Sequence, residues 1–395
     1  MISSAFRSRN FLIYLSGNTV SLHGLWMYRV ALAWFAWQLS GSELWVGIVA
    51  FTQFAPAVLF GPIFGVLADR FDRRATSILI NSLSVVNMLL LGLLTSLGFI
   101  DIRVLVLLSL MQGILDGAHA PVRMSIVPNL VERGQLQSAI ALTSVSFNLS
   151  RFIGPAIAGL VIAIWGVGTA FVINGVSYLT VIWAMLVVRL NPSSKPPVAR
   201  KHPWTELVDG ARYAFNHKGL RSPLIVAALG SVFGRGALEM LPVFADAVYR
   251  GGAAALAMLT SAIGGGAVLT GLILSRGTQW LTTGVLYIAI SVSGLLVVGL
   301  GAIDTFQIAL VVVACLGISL SLSGVGSQIL IQTLVDDELR GRVSSFWGMI
   351  AFGGTALGSL TVGAAANTWG LQSAVIGTGI LCLAIAIVAS RSRIK

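Results

Sequence analysis

Charged residues are scarce in this chain of 395 residues, and their scarcity excludes an ordinary soluble domain. Only 10% of the residues are charged, whereas typical soluble domains carry about 25%. Hydrophobic residues make up 56% of the chain, and they fall in long continuous runs of roughly the 20 residues that a membrane-spanning helix needs. Strands of a membrane β-barrel are short and alternate in polarity, which excludes that class. The sequence therefore predicts an all-α membrane protein.

Patterns that would support catalysis or redox chemistry are also missing. The two cysteines, Cys315 and Cys382, fall inside apolar runs, so we expect no structural disulfide. The chain has no metal-ligand cluster, no nucleophile motif and no phosphate-binding Walker loop. We therefore predict neither a metal nor a cofactor and no enzymatic activity. A membrane-embedded enzyme or a receptor is the alternative from another class.

Turn signals and charges divide the chain into twelve predicted spans. A polar stretch at 190–220 separates six spans from six, which predicts an N-terminal half over 1–189 and a C-terminal half over 221–395. Inside this linker, apolar residues from Trp204 to Phe215 recur at helical spacing, which indicates an interfacial helix or, alternatively, a partly ordered linker. The predicted spans are 11–38, 44–68, 75–98, 104–126, 138–164, 168–189, 221–247, 255–275, 282–302, 306–330, 343–366 and 371–390.

Basic residues are distributed unequally between the two sides of the predicted membrane. With the N-terminus placed in the cytoplasm, the inner loops and tails hold 20 of the 25 Lys and Arg residues. The outer loops hold only Arg103 and Arg250. This asymmetry follows the positive-inside rule, and it predicts a multi-pass protein of the cell (inner) membrane with both termini cytoplasmic. It also explains the net charge of +11 without a nucleic-acid partner.

The two halves share an internal repeat at a shift of 204 residues, without gaps, across spans four to five and ten to eleven. Parallel six-span repeats related by an axis along the membrane normal are a known transporter plan, in which substrate binds between the halves near the midplane. The matching pairs are Gly113-Ile114 with Gly317-Ile318, Leu130-Val131 with Leu334-Val335, Gly154 with Gly358, Gly159 with Gly363, and Trp165-Gly166 with Trp369-Gly370.

The densest charge cluster is "GVLADRFDRR", residues 65–74, between spans two and three. It resembles the cytoplasmic signature Gly-x-Leu-Ala-Asp-Arg-x-Gly-Arg-Arg/Lys of the major facilitator superfamily, with Asp72 in place of the second glycine. The resemblance implies a conformational gate in which Asp69 is held against the positive N-terminus of span eleven. Arg73 would pair with acids across the loops, while Arg74 fits a topology anchor equally well. The matching residues are Gly65, Leu67, Asp69, Arg70, Arg73 and Arg74.

A second element, "GPAIAG" in span five, contains Gly154, Pro155 and Gly159. It resembles the Gly-Pro-x-x-Gly-Gly element of antiporters in the same superfamily. We therefore expect these three residues to be part of the conformational gate. A third element of that superfamily has an arginine in span four, where this chain has Ser109, so the proton-coupling apparatus stays open. Three further stretches are "VALAWFAWQLSGS", "RMSIVPNLVERGQLQSAIAL" and "VDDELRGRVSSFWGM". They are similar to the branch of siderophore exporters of the enterobactin type and macrolide efflux proteins. That similarity implies export of small amphipathic molecules; a lipid or lysolipid flippase or an importer of the same fold is the alternative.

Seven residues of the types Asp, Glu, His and Arg lie within the predicted spans and away from their ends, where a central charge costs at least about 2.5–3.5 kcal/mol. Asp116 and His119 are three residues apart, and Arg235 and Glu239 are four apart, so each pair is expected to share a helix face. We expect Arg151 to lie near Asp116. The seven are His23, Arg29, Asp116, His119, Arg151, Arg235 and Glu239.

These residues have a functional and a structural interpretation. In the first, Asp116 or Glu239 takes up protons while the arginines attract an anionic part of the substrate. In the second, they are buried structural pairs, Arg29 reaches the interface along its own stem, and His23 is packed between helices. The expected partners are a small-molecule substrate, the proton gradient and membrane lipids, and we expect a monomer.

Overall fold

The computed structural model describes residues 4–190, 211–336 and 339–391, and these residues form helices and no strand. Eleven of the helices are long and apolar enough to cross a membrane. The twelfth, α1, has the length to do so with 32 residues, which confirms the predicted all-α membrane fold. The helices are α1 (Arg9–Ser40), α2 (Glu43–Arg70), α3 (Arg73–Ser96), α4 (Ile102–Ile126), α5 (Leu136–Trp165), α6 (Val167–Val187), α7 (from Lys218–Leu229 through Phe244–Val248), α8 (Gly252–Ser275), α9 (Thr283–Ala302), α10 (Phe306–Leu334), α11 (Arg340–Trp369) and α12 (Leu371–Arg391).

Helix packing divides the chain into two six-helix halves with the same internal arrangement. In the first half α3 packs on α6 and α2 packs on α4; in the second half α9 packs on α12 and α8 packs on α10. The buried core follows these helix interfaces, while many large apolar side chains such as Leu160 and Ile288 are exposed, as a lipid-facing surface requires. The predicted pseudo-symmetric halves are therefore confirmed.

Glycines of the sequence repeat occupy equivalent contacts in the two halves. A Cβ on Gly113 in α4 would collide with the carbonyl oxygen of Thr52 in α2. A Cβ on Gly317 in α10 would collide with the carbonyl oxygen of Ile263 in α8. Small residues let the backbones of membrane helices approach closely. The two glycines are thus required at the same helix pair of each half.

The two Trp-Gly pairs also have one structural role. Gly166 ends α5 with φ 82°, and Gly370 ends α11 with φ 83°. Residues with a Cβ rarely adopt such positive φ values, so glycine is the residue that turns the chain there. Each turn leads directly into the next span, α6 or α12.

Helix α7 is segmented, which differs from the continuous span expected over 221–247. Its turns widen to π-helix at Gly230–Arg235 and again at Phe244–Val248. A turn interrupts it at residues 239–240, directly before a piece that has Pro242 in its first turn. Proline has no backbone N–H to continue an α-helical ladder, which accounts for the break on its N-terminal side.

Contacts between the described residues of the two halves lie from one side of the membrane to its middle. We call the side that holds both chain ends the terminal side, and the other the opposite side. Toward the opposite side α2 packs on α11, and the Cα of Gly47 is 3.1 Å from the position of a Cβ on Gly363. Toward the terminal side of the same pair, a methyl group on Gly61 or Gly348 would meet no described atom within 4 Å.

Helices α5 and α8 separate in the same direction. Near the opposite side Gly159 lies against Ala257. About two helical turns closer to the middle of the membrane, Gly264 lies against the backbone of Arg151 and Phe152. Further toward the terminal side, a methyl group on Gly271 would meet no described atom within 4 Å. Among the described residues, the space between the halves therefore opens toward the terminal side.

Hydrogen bonds between loops and helix ends add to the closure of the opposite side. The indole Nε1 of Trp37 donates to Asp246 Oδ2 at 2.8 Å. The hydroxyl of Ser42 donates to Asn367 Oδ1 at 3.0 Å. Both bonds join the N-terminal half to the C-terminal half.

The predicted linker falls mainly outside the described residues. Residues 211–216 are helical, whereas the rest of the interfacial helix expected from Trp204 to Phe215 lies outside the description. The division into 1–189, 190–220 and 221–395 therefore stays a prediction.

Candidate functional site

Four charged side chains from both halves meet around the central space. Arg29 comes from α1 and Arg151 from α5, while Arg235 and Glu239 come from α7. All four are half-buried, although they lie within membrane spans. Glu239 lies within electrostatic range of all three arginines. The helix packing thus assembles three cations and one acid at the boundary between the halves.

The three arginines have no polar partner among the residues that the structure describes. Arg29, Arg151 and Arg235 form neither an ion pair nor a hydrogen bond with any of those residues. Each guanidinium group carries five N–H donors. An unpaired charge within a span costs at least about 2.5–3.5 kcal/mol, so these groups require water or an anionic ligand in the space between the halves.

Aromatic rings hold two of the arginines in place. The Cζ atom of Arg29 lies 4.8 Å from the ring centroid of Trp26 and 5.3 Å from that of Phe54. The Cζ atom of Arg151 lies 5.5 Å from the same Trp26 ring. The negative face of an aromatic ring attracts a cation at such distances. Trp26 is therefore shared by the arginines of α1 and α5.

The glycines of the "GPAIAG" element have two different neighbours. A Cβ on Gly154 would lie 2.5 Å from the Cβ of Trp26, so this glycine lets α5 approach α1 at the ring that holds the arginines. Gly159 instead faces Ala257 of α8, in the other half. Pro155 is buried within α5. Gly159 thus lies where the two halves meet, whereas Gly154 supports the charged site within its own half.

Asp116 belongs to a buried polar network inside the N-terminal half. The side-chain amide Nε2 of Gln112 donates to Asp116 Oδ1 at 3.0 Å and to the hydroxyl of Tyr178 at 3.0 Å. Asn87 Nδ2 donates to Gln112 Oε1 at 3.2 Å. Gln112 of α4 therefore holds the carboxylate, and side chains of α6 and α3 hold Gln112 in turn.

The structure changes the expected neighbours of Asp116 and Arg151. The arginines whose charges act on Asp116 are Arg29 and Arg123. The charges that act on Arg151 are instead those of Arg235, Arg29 and Glu239. Sequence position places both residues in one half but does not fix which helix face each occupies.

The expected side-chain pairs are not formed among the described residues. His119 Nε2 lies 3.4 Å from Asn81 Nδ2 on α3, and it makes no bond to Asp116. Arg235 and Glu239 do not form an ion pair, because α7 turns at Glu239 instead of continuing as a regular helix. The functional and the structural interpretation of these residues both stay predictions.

His23 is packed between helices. Its Nδ1 atom lies 2.7 Å from the carbonyl oxygen of Thr19 and 3.1 Å from the hydroxyl of Ser150 on α5. The packed interpretation of this histidine fits the structure better than a role in the central space.

The predicted gate is described only in part. The side chains of Gly65, Asp69 and Arg70 lie outside the described set. Arg74 donates from Nη2 to the carbonyl oxygen of Val188, which ties the start of α3 to the end of α6 within the N-terminal half.

Two further positions of the gate loop are described. Asp72 caps α3, since its Oδ1 accepts a hydrogen bond from Ala75 N at 2.7 Å, which explains an acid where the superfamily signature has glycine. Arg73 is half-buried in the first turn of the same helix.

Sequence reasoning missed the uncharged polar residues of the site. Asn81, Asn87 and Gln112 are almost completely buried within apolar spans, and an amide in that setting requires a hydrogen-bond partner. Their presence in apolar runs was the available signal, but only ionisable residues were counted there. Trp347 was missed as well, because an aromatic residue in a span usually packs against lipid or core.

Solved transporter structures share the fold of this chain. A crystal structure of the nucleoside transporter NupG superposes with a TM-score of 0.75 at 13% sequence identity, covering 98% of this chain and 99% of that one. A bacterial homolog of the human lysosomal transporter Spinster, in an inward-facing and occupied conformation, superposes with a TM-score of 0.76 at 17% identity and covers 98% of both chains. These likenesses establish the fold.

Two curated relatives are similar over nearly the full chain. The staphyloferrin A transporter of Staphylococcus aureus is 26% identical over 385 residues, which cover 96% of this chain and 93% of the relative. The enterobactin exporter EntS of Escherichia coli is 25% identical over 374 residues, which cover 93% of this chain and 83% of the relative.

The sequence profile described as "Transmembrane secretion effector" matches residues 3–395. This match spans almost the whole chain, and it agrees with the twelve helices in two halves and with the similarity to solved transporters. The chain therefore belongs to the transmembrane secretion effector family of the major facilitator superfamily, and it is a multi-pass secondary transporter.

Proposed function

We propose that this transporter exports a siderophore-like molecule that carries acidic groups. The observation that supports the proposal is the set of three half-buried arginines around the central space, none with a polar partner among the described residues. Glu239 lies within electrostatic range of all three arginines, and Asp116 lies within range of Arg29. The surplus of cations favours an anionic ligand, and the rings of Trp26 and Phe54 offer it an apolar surface.

The direction of transport follows from three considerations taken together. The family profile describes secretion, and one curated relative is an exporter of the siderophore enterobactin. The terminal side carries most of the basic residues, so we place it in the cytoplasm of a bacterial inner-membrane protein. The space between the halves opens to that side, from which an exporter receives its substrate.

The proposed mechanism is alternating access coupled to protons. The halves rock about the central site, so that α2 and α11, and α5 and α8, separate on the opposite side and close on the terminal side. Asp116 and Glu239, two acids that lie away from the span ends, carry protons inward in this mechanism while the substrate moves outward. We further propose that the protein acts as a monomer in contact with membrane lipids.

Purified protein in proteoliposomes tests the proposed function. The liposomes carry an imposed pH gradient, and the transported compounds are staphyloferrin A, enterobactin and an uncharged macrolide. We expect gradient-dependent movement of at least one acidic siderophore and markedly less movement of the macrolide, because a neutral ligand leaves the arginines without a counter-charge. Protein-free liposomes and a reversed gradient serve as controls.

Each alternative gives a different result in that experiment. Substrate moving in the same direction as protons would show an importer. Scrambling of a labelled lysolipid without siderophore movement would show a flippase. Equal transport of the macrolide and the siderophores would contradict recognition by the arginines.

We also propose that Asp69 latches the terminal side when the cavity closes there. The residue belongs to the signature loop between α2 and α3, and α11 begins on the same side. A carboxylate at a helix N-terminus contributes about 0.3–1 kcal/mol when exposed. We therefore expect Asp69→Asn to shift the ratio of the two conformations by about twofold to fivefold toward the form open on the terminal side.

The labelling rate of a cysteine introduced at Gly348 reports that shift, because this position lies in the open space of the terminal side. Asp304→Asn is the matched control, since Asp304 is an exposed acid on the opposite side, away from the gate loop. An unchanged labelling rate together with normal flux would remove the latch from the mechanism.

A further inference from the structure

A pocket lies inside the C-terminal half, between α7, α10 and α11. It is distinct from the aromatic cluster around Arg29, whose rings belong to α1 and α2. The pocket is small, and the residues that line it include Ser231, Arg235, Ser323, Gly324, Trp347 and Ala351.

The side chain of Arg235 lines this pocket and lies against α10. A Cβ on Gly324 would lie 3.2 Å from the Nη2 atom of Arg235, so the guanidinium group occupies space that a larger residue would restrict. The π-helical turn at Gly230–Arg235 brings both Ser231 and Arg235 to the pocket wall. Such wide turns occur frequently at functional sites. The guanidinium has no polar partner among the described residues.

A second free donor is the indole N–H of Trp347. Its Nε1 atom is buried and has no hydrogen-bond partner in the described part of the chain. A buried donor without a partner costs about 1–3 kcal/mol. A ligand atom that accepts a hydrogen bond at this position would remove that cost.

The two serines of the pocket have already used their hydroxyl protons. Ser231 donates to the carbonyl oxygen of Ala227 at 2.8 Å. Ser323 donates to the carbonyl oxygen of Leu320 at 3.1 Å. Among the residues that line the pocket, the donor groups left without a polar partner are therefore the Arg235 guanidinium and the Trp347 indole N–H. A ligand that pairs with both offers acceptor oxygens and a negative charge.

We propose that this pocket binds a carboxylate group of the transported molecule, an inference that rests on the proposed export of an acidic substrate. Arg235 supplies the counter-charge, and the indole N–H of Trp347 donates a hydrogen bond to one carboxylate oxygen. A planar carboxylate matches the planar fork of a guanidinium group. A neutral amide of the same shape lacks the charge, and its NH₂ group would face two donors. Trp347 thus becomes a specificity-determining residue for acidic cargo.

Benzoate and benzamide are the matched probes, because they share a shape and differ in charge. The protein in lipid nanodiscs carries ¹⁵N-labelled tryptophan, and Trp347→Phe identifies the Trp347 indole among the resonances of the 10 tryptophans. We expect benzoate to shift that resonance and benzamide to bind at least about tenfold more weakly. Arg235→Gln should weaken benzoate binding by about tenfold or more, with partial recovery in Arg235→Lys.

Trp183→Phe and Arg103→Gln are the matched controls, since Trp183 is exposed on α6 and Arg103 lies on the opposite side. The thermal unfolding midpoint of each variant separates loss of a ligand contact from loss of the fold. Three results would contradict carboxylate binding in this pocket. They are a Trp347 resonance that does not shift, an equal response to benzoate and benzamide, and normal benzoate affinity in folded Arg235→Gln.

Transport measured in parallel separates this inference from the proposed function. The wild-type protein could export a siderophore under the pH gradient without binding benzoate in the pocket. That result would contradict the carboxylate site and leave the proposed export unaffected. Benzoate binding at Trp347 without transport of any acidic siderophore would support the carboxylate site and overturn export.

Discussion

Asp116→Asn is expected to abolish accumulation driven by a pH gradient while downhill flux of substrate stays measurable. Asp116 is an acid within a membrane span, held by the Gln112 amide at 3.0 Å. The asparagine still offers an oxygen to that amide, so the network and the fold persist, but the side chain no longer exchanges a proton. A gradient of one pH unit supports about tenfold accumulation for one-to-one exchange, equal to about 1.4 kcal/mol. In the variant this ratio falls to about one.

Glu239→Gln is the decisive comparison for that experiment, and Asp304→Asn is the surface control. Glu239 is the other acid of the central region, while Asp304 is exposed and accepts a hydrogen bond from Gln372 at 2.6 Å, which asparagine can also accept. Full gradient coupling in Asp116→Asn together with its loss in Glu239→Gln would assign the proton to α7. Full coupling in both variants would contradict proton transfer through a membrane carboxylate.

Arg29→Gln is expected to lower the transport rate of an acidic siderophore at least about tenfold. Arg29 lies between Trp26 and Phe54, and its charge acts both on Asp116 in its own half and on Glu239 in the other. It is therefore a cation shared by both candidate proton carriers. An anionic substrate that binds this guanidinium competes with the acids for it, which provides a physical link between substrate and proton.

Initial rates over a range of substrate concentrations measure the effect and separate KM from the maximal rate. Arg29→Lys should retain part of the activity, because lysine keeps the charge but loses the planar contact with the rings. Arg103→Gln, on the opposite side, should transport normally. Normal rates in Arg29→Gln, or equal loss in the glutamine and lysine variants, would contradict a role for the charge.

The sequence was sufficient to predict the twelve spans and the repeat, because bilayer thickness and close helix packing constrain every span in the same way. Gly113 and Gly317 were matched by a single shift, and the structure gives both the same contact. Segmentation of α7 was not predicted, although Pro242 is visible in the sequence. Proline in a membrane helix is often tolerated, so its presence alone does not indicate a break.

The neighbours of each charged residue were the least predictable part of the site. A sequence shows that Asp116 and Arg151 are in one half, but the rotation of each helix about its axis decides whether they meet. In the structure Arg29 and Arg123 act on Asp116 instead. Helix rotation follows from contacts such as that between Gly154 and Trp26, which depend on residues distant in the chain.

The glycine contacts that close the opposite side imply a difference between the two gates of this transporter. The forces that hold each gate closed act over different distances. Where Gly47 meets Gly363 and Gly159 meets Ala257, the halves are joined by uncharged backbone and methyl atoms in van der Waals contact. Such attraction loses a quarter to a half of its strength within about 0.5–1 Å of separation, so this seal resists small displacements and then releases abruptly. Charges on the terminal side act over about 8–10 Å in physiological salt. Closure of the terminal side therefore begins while the charged groups are still apart. Opening of the opposite side requires a displacement large enough to break the van der Waals contacts.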